Sequence, residues 1–317
     1  MSVVLLAGGV GGAKMAEGLA ANVGRELSII VNTGDDLELH GLTVWPDHDT
    51  VAYTLAGLDD QVRGWGLRDE SWTVMDRLET LGGLEWFRLG DQDLATHLWR
   101  TDRLRAGGRP TEVALELGAA MGIEPRILLM SDQPVRTEVL TEEGWLEFQE
   151  YFVHRHQEPT VRQVRFRGVE AAETTAEVLA AIAHADVIVI APSNPIVSID
   201  PILAVRGIRP ALEEARARGV PMVAVSGIVG GKALKGPADR MLASLGEESS
   251  ALGVARHLVP LISRFVLDRV DVGLEEEIST LGVETLVADT IMTDDAARAR
   301  LAEEVLAFAT STTGTSP

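Results

Sequence analysis

Seven residues near the start of the chain, Gly8-Gly-Val-Gly-Gly-Ala-Lys14, join a glycine-rich turn to a lysine, a combination that suits phosphate. Glycine at positions 8, 9, 11 and 12 lets the backbone take positive φ and approach a ligand closely. The free N–H groups of a following helix would then face the anion with the positive end of the helix dipole. Gly9, Gly11, Gly12 and Lys14 are the candidates. A dinucleotide fingerprint would need glycine where Lys14 stands, and a P-loop would need glycine at Ala13 and Ser or Thr after the lysine, so neither NAD nor a standard ATPase follows. The same turn would also serve simply to pack strand on helix. Lysine usage favours the phosphate. Of 28 basic residues only Lys14, Lys232 and Lys235 are lysine, and all three lie in or beside glycine-rich segments. A compact ammonium suits phosphate oxygens in a tight loop, so two lysine loops converging on one polyphosphate are expected.

A second set of residues is acidic. Asn32-Thr-Gly-Asp-Asp36 ends an apolar run, and Trp45-Pro-Asp-His-Asp-Thr50 follows closely. Asp35, Asp36 and Asp49 can hold a divalent cation, since Mg²⁺ takes one or two carboxylates plus substrate phosphates. Taken alone, the first stretch reads equally as a Gly-Asp turn, and Asp49 or Thr50 as the N-cap of a helix beginning near Val51. Asn32 and the Ser193-Asn194 pair offer polar groups to phosphate or to a base edge. His97 reads as structural.

The third set is aromatic. Five of the six tryptophans fall between Trp45 and Trp99, interleaved with Arg63, Arg68, Arg88 and several carboxylates. Such a surface suits a planar heterocycle bearing hydroxyls, with Trp65 the leading contact; the bland reading is a helical insertion whose tryptophans fill its own core.

The elements that must position these residues alternate as βα units. Val3–Leu6 is a continuous apolar run of the kind buried on both faces of a parallel sheet, and Leu27–Val31, Arg126–Met130 and Asp186–Ala191 read as further buried strands. Each candidate loop stands at the carboxyl end of such a run, where open α/β sheets bind ligands. Later β-rich runs are Pro221–Val225, Arg264–Leu267 and Thr285–Val287. The fold class is α/β, a Rossmann-like, mostly parallel sheet with helices on both faces. Residues 1–309 form one α/β domain with insertions at about 45–105, helical and aromatic-rich, and 137–168, a small antiparallel excursion serving as a cap or dimerisation element. Residues 310–317 read as a flexible tail.

Composition narrows the function. A net charge of −20 without a basic run argues against nucleic acid and anionic membrane as partners, so a small anion would have to be met by local loops, lysines or metal. Zero cysteine excludes disulfides and a thiolate nucleophile. The chain begins directly in a core strand, and no apolar run is long enough to span a bilayer; a cytoplasmic protein is expected.

Taken together, the motifs resemble the 2-phospho-L-lactate transferases of coenzyme F(420) biosynthesis, the CofD/FbiA type. The matching segments are Gly8–Lys14, Asn32–Asp36, His40-Gly-Leu, Pro46–Thr50, Arg63–Glu70, Arg88–His97, Ala191–Pro195 with Ser198-Ile, and Gly230–Asp239. One departure is Gly227, where the family's Ser-Pro-Ile turn would carry proline. The resemblance implies a magnesium-dependent reaction in which the ribityl hydroxyl of the deazaflavin Fo attacks a guanosine diphosphate ester of a three-carbon acid and GMP leaves. It also implies that Asp49 and Arg88 contact Fo. A homodimer is expected. Nothing in the sequence is visibly dedicated to the acid, which predicts overlapping use of lactate, enolpyruvate or glycerate donors, the enolpyruvyl form preferred. Asp49→Asn is expected to abolish turnover while the fold survives, and Lys14→Ala and Lys232→Ala to weaken the donor alike. The alternative is a related UDP-sugar-binding regulator without transfer activity.

Overall fold

A computed structural model describes residues 1–259 and 261–311. Seven apolar runs become parallel strands: β1 (Val3–Ala7), β2 (Leu27–Val31), β3 (Arg126–Leu129), β4 (Val187–Ile190), β5 (Met222–Val225), β6 (Arg264–Asp268) and β7 (Glu284–Ala288). Their order across the sheet is β7-β6-β5-β4-β1-β2-β3. This is the doubly wound arrangement, with its switch point between β1 and β4. Side chains alternate along each strand, so Val3, Leu5 and Ala7 enter one core while Val4 and Leu6 enter the other. Full burial of each Val or Leu contributes about 1.5–3 kcal/mol, which is why β1 tolerates no polar residue.

Helix α1 (Gly9–Val23) starts at the glycines themselves, earlier than the expected Ala13, so the glycine turn is the helix's own first turn. It packs against the C-terminal helix Asp295–Thr310 at Gly18, where a Cβ would come within 2.3 Å of the Arg298 carbonyl oxygen. Helix α2 (Pro46–Leu55) likewise starts before the expected Val51, because Pro46 has the fixed φ of a first helical position. Asp49 and Thr50 are therefore inside the helix and cap nothing; the N-cap position is Trp45.

The first insertion contains helices α3 (Thr73–Thr80) and α4 (Asp91–Arg105) and packs with the hairpin that precedes it (Leu37–Leu39 with Leu42–Val44). Their common core is aliphatic, built from Leu37, Leu39, Val44, Met75, Leu89 and Leu94. The reading in which its tryptophans fill that core is thereby corrected. The second insertion is a three-stranded antiparallel sheet, Gly144–Glu147, Arg136–Thr141 and Gln163–Arg167 in spatial order. The C-terminal helix runs through Thr310, where the tail was expected to begin, and residues 312–317 lie outside the described ones.

Candidate active site

Five strand ends and both insertions enclose one cavity of about 880 Å³, within the range of small-molecule sites. Gly8–Gly11 follow β1, Asp35 follows β2, Ser193 and Asn194 follow β4, Ser226 and Gly227 follow β5, and Thr290–Thr293 follow β7. Gly11 is required by packing as much as by ligand access, since a Cβ there would lie 2.2 Å from the Pro192 carbonyl oxygen. Ser193 locks the first loop from the other side of the switch point. Its Oγ donates to the Gly8 carbonyl (2.7 Å) and accepts from the Gly8 N–H (3.3 Å).

The expected phosphate set divides. Gly9, Gly11, Lys14, Ser193, Asn194 and Lys235 are on the cavity wall. Gly12 is turned into the packing between Ala7 and Ser193. Lys232 points to solvent, 3.9 Å from Asp239 and off the wall. Lys14 donates to the Met292 carbonyl (2.8 Å); burial, then the nearby Arg298 and Lys235, lower its pKa.

The three acids expected to share a cation do not close into one cluster among the described residues. Asp36 is buried off the wall, its proton affinity raised by burial even though Arg136 and Arg100 oppose this. The acid facing Asp35 is instead Asp47, which sequence reasoning passed over in favour of Asp49. Asn32 bridges them: its Nδ2 donates to Asp47 Oδ2 (2.8 Å) and to Asp35 Oδ1 (3.3 Å). Asn32 is thus a brace behind the wall. Burial, with no counter-cation beside it, pushes the Asp47 carboxyl up to about 6, and burial plus Asp47 push Asp35 up as well. Asp47 also accepts from the Gly9 N–H (2.6 Å), tying the acid pair to the glycine turn.

Asp49 has different company. Arg100 ion-pairs with it, His48 Nδ1 lies 3.0 Å away, and His97 Nδ1 lies 3.7 Å from its Oδ2. Burial works against ionisation, but Arg100 and His48 together hold this carboxyl well below the ordinary range. Arg100 Nη1 also faces His97 Nδ1 at 3.0 Å; because a guanidinium only donates, that nitrogen accepts. Asp93, bonded by the Tyr53 hydroxyl, stands 3.3 Å from His97 Nε2. Asp49, Asp93 and His97 have metal-compatible spacing, yet the Arg100 guanidinium already neutralises the position. Asp49 Oδ2 is buried without a hydrogen-bond partner, and Asp49 lines the cavity.

The rim is aromatic. Trp65, Trp72, Trp86 and Phe87 face the cavity from the first insertion, and Phe148 and Phe152 from the second. Arg63 lies 5.2 and 5.0 Å from the Trp65 and Trp72 rings. Arg88 is on the wall too, ion-paired with Asp76 and over Trp72. Trp86 stacks on His154 at 5.2 Å, joining the two insertions. The excursion is therefore a cavity wall. The spacing Phe148-x-x-x-Phe152 was the available signal for it, as Asp93-x-x-x-His97 was for the acid–histidine pair.

With this geometry, residues 3–303 match the sequence profile of the family described as 2-phospho-L-lactate transferase CofD. The chain belongs to the CofD family. CofD relatives include a phosphoenolpyruvate transferase of Streptomyces griseus, 43% identical with 98% of each chain covered. Another is a 2-phospho-L-lactate transferase of Methanosarcina barkeri, 36% identical with 96% of this chain and 97% of that one covered. A crystal structure of a UPF0052 family member from Bacillus halodurans shares the fold, with a TM-score of 0.61 at 17% identity and 96% of this chain covered. As a CofD-family protein the chain is a transferase of the 2-phospho-L-lactate or phosphoenolpyruvate type. No helix among the described residues is long and apolar enough to cross a membrane.

Proposed function

We propose that this transferase moves a phosphorylated three-carbon acid from a guanosine diphosphate ester to the ribityl hydroxyl of Fo, releasing GMP, in coenzyme F(420) biosynthesis. One observation carries the reading: an aromatic slot opens directly onto strand ends that carry a glycine turn, two lysines and a buried carboxylate pair, all within a single cavity. A planar ring suits the slot and a diphosphate suits the strand ends.

In the reaction the ribityl oxygen forms a bond to the acid-bearing phosphorus and the bond from that phosphorus to the GMP oxygen breaks. GMP leaves with the electron pair, and the hydroxyl proton passes to a carboxylate or to water. Little covalent chemistry falls to the protein, so positioning and charge neutralisation dominate. Asp49 is held ionised, and its unpartnered Oδ2 accepts and orients the attacking hydroxyl. The first-turn N–H groups of α1, with Ser193 and Asn194, hold the diphosphate.

Magnesium fits the Asp35–Asp47 pair. Two buried carboxylates with raised proton affinity are hard oxygen donors lacking a counter-cation, and the substrate phosphates would complete the shell. Bound there, the ion would supply charge neutralisation at the phosphates. Neither Asp36 nor Asp49 is needed for it. The relatives named as phosphoenolpyruvate transferases are 41–43% identical and those named as 2-phospho-L-lactate transferases 36–37%, which supports the enolpyruvyl donor as preferred.

The test is incubation of the protein with Fo, Mg²⁺ and each of the three guanylylated acids, following GMP release and product mass. Product with the enolpyruvyl donor is expected. Inactivity with all three, together with tight binding of UDP-N-acetylglucosamine, would replace the transferase by a UDP-sugar-binding regulator.

A further inference from the structure

A side chamber of about 110 Å³ opens beside the main cavity. It shares Val10, Lys14 and Tyr53 with the main cavity and is closed by Thr54, Gln61 and Arg298. It has room for a group of a few heavy atoms and is far too small for a nucleoside or a tricyclic ring. Three cations converge on it, Lys14, Lys235 and Arg298, against Asp59 on its own wall and Glu17 and Asp295 paired with Arg298.

Arg298 is 3% exposed, and its ion pairs with Glu17 and Asp295 both run through Nη1. Its buried Nε has no hydrogen-bond partner. A desolvated guanidinium edge without a partner is costly unless a ligand completes it. Lys14 uses one N–H on the Met292 carbonyl and keeps two. Lys235 has no ion pair among the described residues, and its Nζ would lie 3.3 Å from a side chain at Gly64. Burial and the two neighbouring cations already weaken the proton affinity of Lys14, a repulsion that an incoming anion relieves.

We infer that this chamber is the subsite for the carboxylate of the donor's three-carbon acid, read by Arg298, Lys14 and Lys235. The inference rests on the transferase reading above. The nucleotide phosphates have the α1 N-terminus with Ser193 and Asn194, whereas the acid is the small anionic appendage of the phosphorus under attack. Val10 and Lys14 lie one helical turn apart on α1, so the chamber runs alongside the phosphate turn at the reach of that appendage. A planar carboxylate matches the guanidinium edge. Lactate, enolpyruvate and glycerate all carry this carboxylate, so the subsite secures the acid without choosing among the three.

The experiment compares affinity for GDP, which lacks the acid, with affinity for guanylylated enolpyruvate. In Arg298→Lys and Lys235→Gln the acid-bearing donor should bind about tenfold or more weakly, the loss typical of a charge-assisted hydrogen bond, while GDP binding stays within twofold. Equal losses for both ligands would assign the chamber to a nucleotide phosphate and overturn the inference, as would no loss. Glu17→Gln keeps the cation and removes its partner, so donor affinity should hold; a loss matching Arg298→Lys would reduce Arg298 to a packing role. Should Arg298→Lys fail to fold, the Lys235→Gln result decides, because that side chain is exposed. Wild-type protein that binds neither guanosine compound would instead sink the transferase reading itself.

Discussion

Asp47 and Asp49 stand two residues apart on α2, both buried and both on the cavity wall, yet their proton affinities are shifted in opposite directions. Asp49 faces Arg100 and is kept ionised far below the ordinary range; Asp47 faces another carboxylate across Asn32 and retains its proton up to about 6. Equal burial with different neighbours decides the outcome. The Asp49 side is complete as it stands, a fixed acceptor with its counter-ion built in. The Asp35–Asp47 side lacks positive charge until a cation arrives.

The sharpest way to break this contrast is to remove the counter-ion. Arg100→Met leaves Asp49 as an uncompensated buried charge and should destabilise the protein by about 3–5 kcal/mol at pH 7, measured by urea unfolding, with turnover lost. Asp49→Asn strands Arg100 in the same way, so the expectation that the fold survives that change unharmed is revised to a comparable stability loss. The double variant Asp49→Asn/Arg100→Met should recover most of it. Simple additivity of the two losses would show that the pair is not coupled.

The opposite sign is expected at Asp47. Its folded-state pKa lies above the unfolded value, so the ligand-free protein loses stability as pH rises from about 4 to about 6. Each pH unit in that window is worth about 1.4 kcal/mol, or about 3 kcal/mol in all. Asp47→Asn should remove the Asp47 share of that dependence, leaving the part that burial of Asp35 causes, and raise Tm above pH 6 while eliminating turnover. Thermal unfolding across pH 4–8 checks it; a variant less stable than wild type at pH 7 would mean the carboxylate already has a counter-charge.

The smallest effects separate the lysines. Lys14→Ala should raise the donor KM about tenfold and leave Fo affinity unchanged. Lys232→Ala should change neither by more than twofold, because that ammonium is exposed and off the wall. Equal effects would restore the two converging lysine loops in their original form.

The rim repeats the lesson in apolar terms. Trp65 and Leu94 lie in the same insertion, yet Leu94 joins its aliphatic core while Trp65 faces the cavity, about half exposed. Tryptophans that a single sequence would send to a local core become the slot, and Phe148 and Phe152 arrive from the excursion to face them.

The sequence by itself determined the sheet and the loops at its edge. An unbroken apolar run such as Val3–Leu6 can be satisfied only by burial on both faces, and a glycine turn after it follows from local backbone sterics. These are properties of neighbouring residues, so Gly9, Gly11, Lys14, Ser193 and Asn194 could be named from the chain alone. Pairings across long separations could not. Nothing local tells that Asn32 holds Asp47 and not a phosphate, that Arg100 is Asp49's partner, 51 residues away, or that Arg298 closes a chamber on Lys14. Charge state and ligand access depend on what each group meets after folding, through desolvation and Coulomb terms that act across space, and only the tertiary structure decided them.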